Sequence, residues 1–304
     1  GVEYSFPDWM VMRFVGEVGE AATPQLLAAL NEQAPLTLRV NSLKISAEEC
    51  RGVLKSQGVE TTPATLAPSG LIVGKRINIF QLPAFRDGYF EVQDEGSQMI
   101  PLLLDPKPTA KVLDACAGAG GKSLGLSALM KNRGEIMATD IHSFRLDELR
   151  KRARRAGAFN IRVVDKDRFD EQADSYERFF DHVLVDAPCS GLGTIRRNPG
   201  MKWSVTEETV RELSEKQVSI VSSYLRFLKP GGTLLYATCT FFRQENEEVV
   251  ERVLALHPEV RRADLGPSAD RVGLGSAAAG GVLQLWPHLH GTDGFFCALL
   301  SRTE

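Results

Sequence analysis

Between residues 111 and 237 the sequence alternates short apolar runs with longer amphipathic stretches. Such alternation is typical of strands and helices that follow one another in a parallel sheet. We interpret 111–114, 135–140, 161–164, 182–186 and 233–237 as strands, and 120–131, 143–155 and 207–228 as helices. The Lys-Pro-Gly-Gly segment at 229–232 predicts a turn before the last strand. The predicted fold class is α/β, with a doubly wound, mostly parallel sheet.

The two ends of the chain differ from this middle part. After a helix predicted at 245–256, the apolar runs 282–286 and 295–300 predict an antiparallel pair at one edge of the sheet. Before residue 110, short strands and one amphipathic helix predict a small α+β domain; the strands are 37–41, 71–73 and 88–93, and the helix is 47–57. The segment Asp105-Pro106-Lys107-Pro108 breaks the periodicity, so we place the boundary between residues 104 and 105.

Two cysteines, Cys189 and Cys239, each follow one of the predicted strands. Because the carboxyl ends of parallel strands meet at the same sheet edge, both sulfurs should face one crevice. A free cysteine is usually a small buried hydrophobic residue, and we interpret Cys50 and Cys297 in that way. The other two stand among Pro, Thr and Ser in turns, which indicates a pair of thiols in one active site.

The segment 114–122, Asp-Ala-Cys-Ala-Gly-Ala-Gly-Gly-Lys, predicts a cofactor loop. Its glycines let the backbone approach a ligand, and the helix that follows offers free N–H groups to a carboxylate. It is not a phosphate loop, because Cys116 stands where that motif requires glycine. Asp140 closes the second strand and could accept hydrogen bonds from ribose hydroxyls, and Asp167 could reach an adenine edge. Taken singly, these features are equally compatible with tight turns and a capping aspartate.

Composition limits the classes of protein to consider. The chain has 304 residues, of which 43% are hydrophobic and 25% charged, so it can bury a substantial core. Five cysteines without Cys-x-x-Cys spacing argue against a disulfide framework and a zinc site, so we expect no metal. No apolar run approaches the roughly 18 to 20 residues that cross a bilayer, and we expect a cytoplasmic protein without membrane contact. The chain begins with Gly1, so we expect a processed chain or the remainder of a longer one.

Six ordered motifs resemble those of the NOL1/NOP2/Sun family of RNA cytosine-5 methyltransferases. They are Leu38 to Asn41, Gly88 to Glu95, Asp114 to Lys122, Asp186 to Gly191, Tyr236 to Cys239 and Asp293 to Phe296, and they extend over nearly the whole chain. The segment from Gly193 to Pro199, followed by Lys202-Trp203, is most similar to the bacterial 16S rRNA enzymes of the Sun type. Those enzymes commonly carry a further helical domain upstream. The family usually has Ala-Pro where this chain has Gly118-Ala119, so we expect a less rigid loop.

The resemblance implies a Rossmann-like methyltransferase domain at 105–304 that uses S-adenosyl-L-methionine. Residues 1–104 are expected to form an N-terminal helical segment and a small RNA-binding α+β domain. The resemblance also implies that Cys239 is the nucleophile, that Cys189 assists its release, and that Asp186 contacts both the target base and the cofactor. The reverse cysteine assignment stays open, because DNA cytosine methyltransferases have their nucleophile in a Pro-Cys context. The residues expected at the cofactor are Cys116, Ala117, Gly118, Ala119, Gly120, Gly121, Lys122, Asp140, Arg145, Asp167 and Asp186.

A net charge of −3 gives no long-range attraction to phosphate, so contact with RNA has to be local. The residues expected to contact RNA are Arg39, Arg196, Arg197 and Lys202. The basic run 150–155 could equally bind RNA or form a solvated helix face.

The expected partner is RNA, in the first place small-subunit rRNA, and the expected state is a monomer. The alternatives are another RNA such as tRNA, DNA as the substrate, and a non-catalytic RNA-binding assembly factor.

Overall fold

The computed structural model describes residues 1–75 and 77–303. The strands are β1 Thr37–Val40, β2 Thr61–Pro63, β3 Gly70–Val73, β4 Phe90–Val92, β5 Lys111–Asp114, β6 Glu135–Ala138, β7 Ile161–Val163, β8 Phe180–Asp186, β9 Leu228–Thr238, β10 Val260–Arg262, β11 Ala278–Ala279, β12 Val282–Leu285 and β13 Phe295–Arg302. The helices are α1 Asp8–Val18, α2 Thr23–Asn31, α3 Ala47–Ser56, α4 Pro83–Arg86, α5 Glu95–Leu104, α6 Gly121–Leu129, α7 Ser143–Ala156, α8 Lys166–Glu171, α9 Met201–Ser204, α10 Glu207–Leu225, α11 Glu247–Leu256, α12 Gly266–Arg271 and α13 Pro287–His290.

The large sheet has nine strands in the order β11-β12-β13-β9-β8-β5-β6-β7, with β10 paired to β13. The five strands from β9 to β7 are parallel, and β10 to β13 are antiparallel. Helices cover both faces, because the central strands are apolar on both sides. The predicted doubly wound, mostly parallel α/β fold is therefore confirmed, as is the antiparallel pairing of the last two apolar runs.

The small sheet confirms the predicted N-terminal α+β unit. Its four antiparallel strands have the order β2-β3-β1-β4 and pack against α3 and α4. Ser46 caps α3 by accepting a hydrogen bond from the backbone of Glu49, whose side chain bonds back to the backbone of Ser46. This sheet is separate from the large one, and Arg39 of β1 bonds the carbonyl oxygen of Gly121 at the start of α6.

Helix α5 joins the two sheets and was not predicted. Pro101 lies inside it, yet Met99, Ile100 and Leu103 are buried in the core of the large sheet. The predicted boundary between residues 104 and 105 therefore lies just after α5, although α5 packs with the large sheet that follows this boundary.

The prediction of a separate turn at 229–232 was wrong. These residues lie within β9, where Leu228 pairs with Phe180 and the pairing resumes between Thr233 and His182. The four residues form a bulge opposite Asp181 alone, and Gly231 adopts a left-handed φ of 73° there. A glycine that tolerates this conformation lets the strand bulge and continue.

None of the described helices combines the length and the apolar composition that crossing a bilayer requires.

Candidate active site

A cleft of about 780 Å³ opens at the carboxyl ends of β5, β6, β8 and β9. The turns that follow these parallel strands form its walls, as expected for an open α/β sheet. Predicted residues that line it are Cys116, Ala117, Gly118, Ala119, Gly121, Lys122, Asp140, Arg145, Asp186, Cys189 and Cys239. Gly120 and Asp167 are not among its lining residues, whereas Lys166, the neighbour of Asp167, is.

The two predicted thiols lie together in this cleft. Cys189 Sγ is 3.3 Å from Cys239 Sγ, and the backbone N–H of Cys239 points at Cys189 Sγ over 3.3 Å. Two effects change the pKa of the Cys189 thiol in the same direction. The hydrogen bond with Cys239 and then burial raise the pKa of Cys189 well above its usual value. Cys189 is consequently a protonated thiol at neutral pH.

Asp186 and Lys122 form an ion pair beside the thiols. Lys122 Nζ donates to Asp186 Oδ2 over 2.5 Å, and both side chains are largely buried. Burial opposes the charge of Lys122, but the Asp186 carboxylate outweighs it and raises the pKa of the lysine. The pair links the glycine-rich loop to the end of β8 and keeps a fixed cation next to Cys239.

The glycine-rich loop is held by several backbone contacts. Gly118 has a φ of 53°, a left-handed conformation in which an added side chain would meet open space. The N–H groups of Gly118 and His142 donate to the two oxygens of Asp140 over 2.9 and 2.8 Å. Arg152 also donates to the carbonyl oxygen of Ala119 over 2.7 Å. These bonds restrain the loop, for which the Gly118-Ala119 sequence predicted lower rigidity.

The cations expected to contact RNA have intramolecular partners. The buried Arg39 donates to the carbonyl oxygen of Gly121 over 2.5 Å and to the side chain of Gln93. Lys202 is buried, donates to Asn31 and lies 3.9 Å from the ring centroid of Phe6. The charged groups of both residues bind internal partners where separate parts of the chain meet, and their contact with RNA stays a prediction.

Arg196 and Arg197 share a buried carboxylate, Asp293. Arg197 Nε donates to one Asp293 oxygen over 2.5 Å, and Arg196 Nη2 approaches the other at 3.3 Å. Arg197 also bonds Asp94 over 2.8 Å. Burial and then the neighbouring Asp94 raise the pKa of Asp293 to about 6. The pair of arginines thus neutralises two close carboxylates, and contact with RNA would require exchange of these bonds.

The basic run 150–155 is divided between two faces of α7. Arg152 and Arg155 bind Glu91 of β4 at 3.0 and 2.5 Å, whereas Lys151 and Arg154 are exposed. The buried half of the run therefore joins the small sheet to the cleft wall.

Sequence reasoning missed the carboxylates that organise this region, among them Glu91, Asp94 and Glu245. Glu91 follows the strand alternation as an outward residue, and Glu245 begins an acidic stretch that is typical of a helix start. Asp293 belongs to a motif that the resemblance contains, but no role was assigned to it. No local pattern distinguishes these residues from solvated acids, because their partners are distant in the chain.

Two family models match the chain. Residues 101–301 match the family described as 16S rRNA methyltransferase RsmB/F, and residues 6–80 match a ferredoxin-like domain of the same proteins. The chain is 36% identical over 99% of its length to the probable ribosomal RNA small subunit methyltransferase B of Synechocystis sp., and 35% identical over 99% to that of Bacillus subtilis. It spans 68% and 67% of those two relatives. A methyltransferase homolog protein from Pyrococcus horikoshii superposes with a TM-score of 0.82 at 28% identity, over 99% of this chain and 97% of that one.

Proposed function

Because this chain belongs to the 16S rRNA methyltransferase RsmB/F family, we propose that it transfers a methyl group from S-adenosyl-L-methionine to carbon 5 of a cytosine in RNA. The observation that carries this proposal is the 3.3 Å separation of two thiols in a cleft that also contains the glycine-rich loop. Carbon 5 of cytosine is a weak nucleophile, and a thiolate that adds to carbon 6 makes it electron-rich. The names of the relatives support small-subunit rRNA as the substrate.

In the proposed reaction, Cys239 is the nucleophile that adds to carbon 6. The ammonium group of Lys122, held beside the site by Asp186, favours the thiolate of a nearby cysteine. Cys239 is the stronger candidate for this role, because it lies close enough to Lys122 for the two charges to interact. Once carbon 5 has taken the methyl group, its proton must leave so that the electron pair can return and expel Cys239. Cys189, whose sulfur lies 3.3 Å from the Cys239 sulfur, assists that release as the base that accepts the carbon 5 proton, after it has lost its own thiol proton to solvent.

Asp186 has the position and chemistry to orient the base. It is bonded to Lys122 and lines the cleft together with the two thiols, and a carboxylate there can accept a hydrogen bond from the cytosine amino group. A base has to leave its stack for its ring to enter the cleft, which favours an unpaired or flipped cytidine.

The residues of the glycine-rich loop fit the proposed cofactor. S-adenosyl-L-methionine, when bound, supplies an electrophilic methyl group. The open space next to Gly118 allows a ligand to approach the loop backbone, and Asp140 stands at the end of the neighbouring strand, where ribose hydroxyls are recognised. Arg145 lines the same cleft and can contact the cofactor there.

Covalent trapping with S-adenosyl-L-methionine and deproteinised small-subunit rRNA tests the proposal. We expect Cys189→Ala to accumulate an RNA adduct of low mobility on denaturing gels, because release is impaired. We expect Cys239→Ala to form no adduct and to transfer no methyl group. Cys50→Ala is the matched control, since this buried cysteine lies in the small sheet's core, remote from the cleft.

The target atom and the RNA are measured in the same assay. Release of tritium from RNA labelled at carbon 5 of cytosine should match methyl incorporation one for one. The opposite adduct pattern would assign the nucleophile to Cys189. Methyl transfer that survives both substitutions would exclude the thiol mechanism, and preference for tRNA over rRNA would change the substrate.

A further inference from the structure

Glu245 is a completely buried carboxylate behind the two cysteine turns, and the proposed reaction does not use it. It lies in a short 3-10 turn, Arg243–Glu245, which precedes α11. No Lys or Arg of the described residues lies within ion-pair distance of it, although buried carboxylates are normally paired with a cation. A group of this kind is retained only where hydrogen bonds satisfy both of its oxygens.

The four hydrogen bonds to Glu245 come from both cysteine turns and from α10. Oε1 accepts from the backbone N–H of Ser190 over 2.8 Å and from Gln217 Nε2 over 3.0 Å. Oε2 accepts from Ser190 Oγ over 2.6 Å and from Thr240 Oγ1 over 3.2 Å. Ser190 directly follows Cys189, and Thr240 directly follows Cys239. One carboxylate is therefore bonded to the residue next to each thiol.

Further bonds fix the carboxylate itself. The backbone carbonyl oxygen of Glu245 accepts from the hydroxyl of Tyr236 in β9 over 2.5 Å. Gln217, besides bonding Glu245, donates to the carbonyl oxygen of Pro188 over 3.0 Å. The two hydroxyls of Ser190 and Thr240 also lie 2.8 Å apart. The two turns that carry the thiols are thus bonded to one carboxylate, that of Glu245, and a shift of this carboxylate moves both turns.

We propose that Glu245 is a positioning residue that sets the distance between the sulfurs of Cys189 and Cys239. The contribution of this distance to methyl transfer rests on the function proposed above, because both thiols must reach one cytosine ring. The geometric part, a fixed dithiol, stands without it. Glu245 acts through the two turns and touches neither sulfur in the bonds described.

Two substitutions separate hydrogen bonding from charge and reach. In Glu245→Gln the amide oxygen can accept from the Ser190 N–H and from Gln217, while the amide nitrogen donates to the two hydroxyls, which then act as acceptors. In Glu245→Asp the side chain is one methylene shorter and cannot bond both turns. Thr240→Val keeps the shape of its side chain and removes the contacts of its hydroxyl with Glu245 and with the Ser190 hydroxyl. Glu248→Gln, an exposed acid of α11, is the matched control.

Phenylarsine oxide, which bridges two close thiols, measures the geometry without RNA. With excess monothiol as competitor, wild type, Glu245→Gln and Glu248→Gln should each retain one arsenical per chain, and Cys189→Ala should retain none. We expect Glu245→Asp and Thr240→Val to bind it more weakly. Their kcat for methyl transfer should fall by up to about 10²-fold, with little change in KM, as expected for a displacement near 1 Å.

Each outcome decides the inference. Folded Glu245→Asp and Thr240→Val proteins that capture the arsenical like wild type would overturn it. So would a Glu245→Gln protein that loses capture as completely as Glu245→Asp, since the charge would then matter more than the bonds. If the aspartate variant does not fold, Thr240→Val and the glutamine variant still give the answer. If wild type captures the arsenical but methylates no RNA, the proposed function fails while the positioning role is still measured.

Discussion

Asp114 and Asp186 end two neighbouring parallel strands but lie in different environments. Asp186 is partly exposed and forms an ion pair with Lys122 beside the cleft. Asp114 is completely buried, and its Oδ2 accepts from Ser123 over 2.6 Å while its Oδ1 has no hydrogen-bond partner. Burial raises the pKa of Asp114 to about 7. Identical residues at equivalent strand ends therefore differ in environment, because Asp114 is completely buried and Asp186 is paired with a cation at the cleft.

The raised pKa of Asp114 predicts that stability falls as pH increases. The unfolded carboxyl titrates near 3.9, so between roughly pH 4 and 7 the folded protein binds the additional proton. Relative to Asp114→Asn, which cannot titrate but can still accept from Ser123, wild type should lose about 2–3 kcal/mol of unfolding free energy between pH 5 and pH 8. Urea unfolding of both proteins across this range measures the difference. Parallel curves would show that Asp114 does not titrate in this window.

At the scale of elements, β4 and α7 are joined by one buried acid and two arginines. The Glu91 side chain is only 5% exposed, and it receives three hydrogen bonds from Arg152 and Arg155. Arg152 then reaches the carbonyl oxygen of Ala119 in the cofactor loop. Gly88 permits this approach, since a side chain there would lie 2.1 Å from the carbonyl oxygen of Arg155. The small sheet is thereby coupled to the wall of the cleft.

Removing the charge of Glu91 should therefore destabilise the protein. In Glu91→Gln two guanidinium groups lose their carboxylate while they remain mostly buried, and we expect a loss of about 2–3 kcal/mol, below the value for fully buried pairs because both arginines keep some contact with solvent. The control is Glu148→Gln, the same change in an exposed pair with Lys151 on α7, which should cost less than about 0.5 kcal/mol. Equal effects of the two substitutions in chemical denaturation would contradict this role for Glu91.

At the scale of the whole molecule, the first two helices support both cysteine turns. Phe14 of α1 is buried and meets Phe241 and Phe242, which follow Cys239, at centroid distances of 5.7 and 5.5 Å. The same apolar cluster contains Leu192 and Ile195, which follow Cys189. Residues of α1 thus pack beneath the two cysteine turns, although the proposed catalytic residues lie between positions 186 and 239 of the sequence.

Truncation of Phe14 should affect both stability and the site. We expect Phe14→Ala to lose about 3–5 kcal/mol of unfolding free energy, because a large buried ring leaves a cavity. Methyl transfer should decline at a lower temperature than the loss of global secondary structure, since the cavity lies directly under the turns. Met12→Ala on the exposed face of the same helix should change neither measurement appreciably. An activity loss that coincides with global unfolding would argue against direct support of the turns.

The sequence by itself determined the alternation of strands and helices, the fold class, the family resemblance and the meeting of Cys189 and Cys239. The alternation and the fold class follow from local periodicity, and the meeting of the cysteines follows from the rule that parallel strands end at one edge. The resemblance rests on the six ordered motifs. Only the tertiary structure decided where the charged groups go. Arg39 and Lys202 are internal, and Glu245 bonds Ser190 across 55 positions of the chain. The sequence shows which residues carry a charge. The partner and the burial of each charge depend on contacts between distant segments, and no local pattern predicts such contacts.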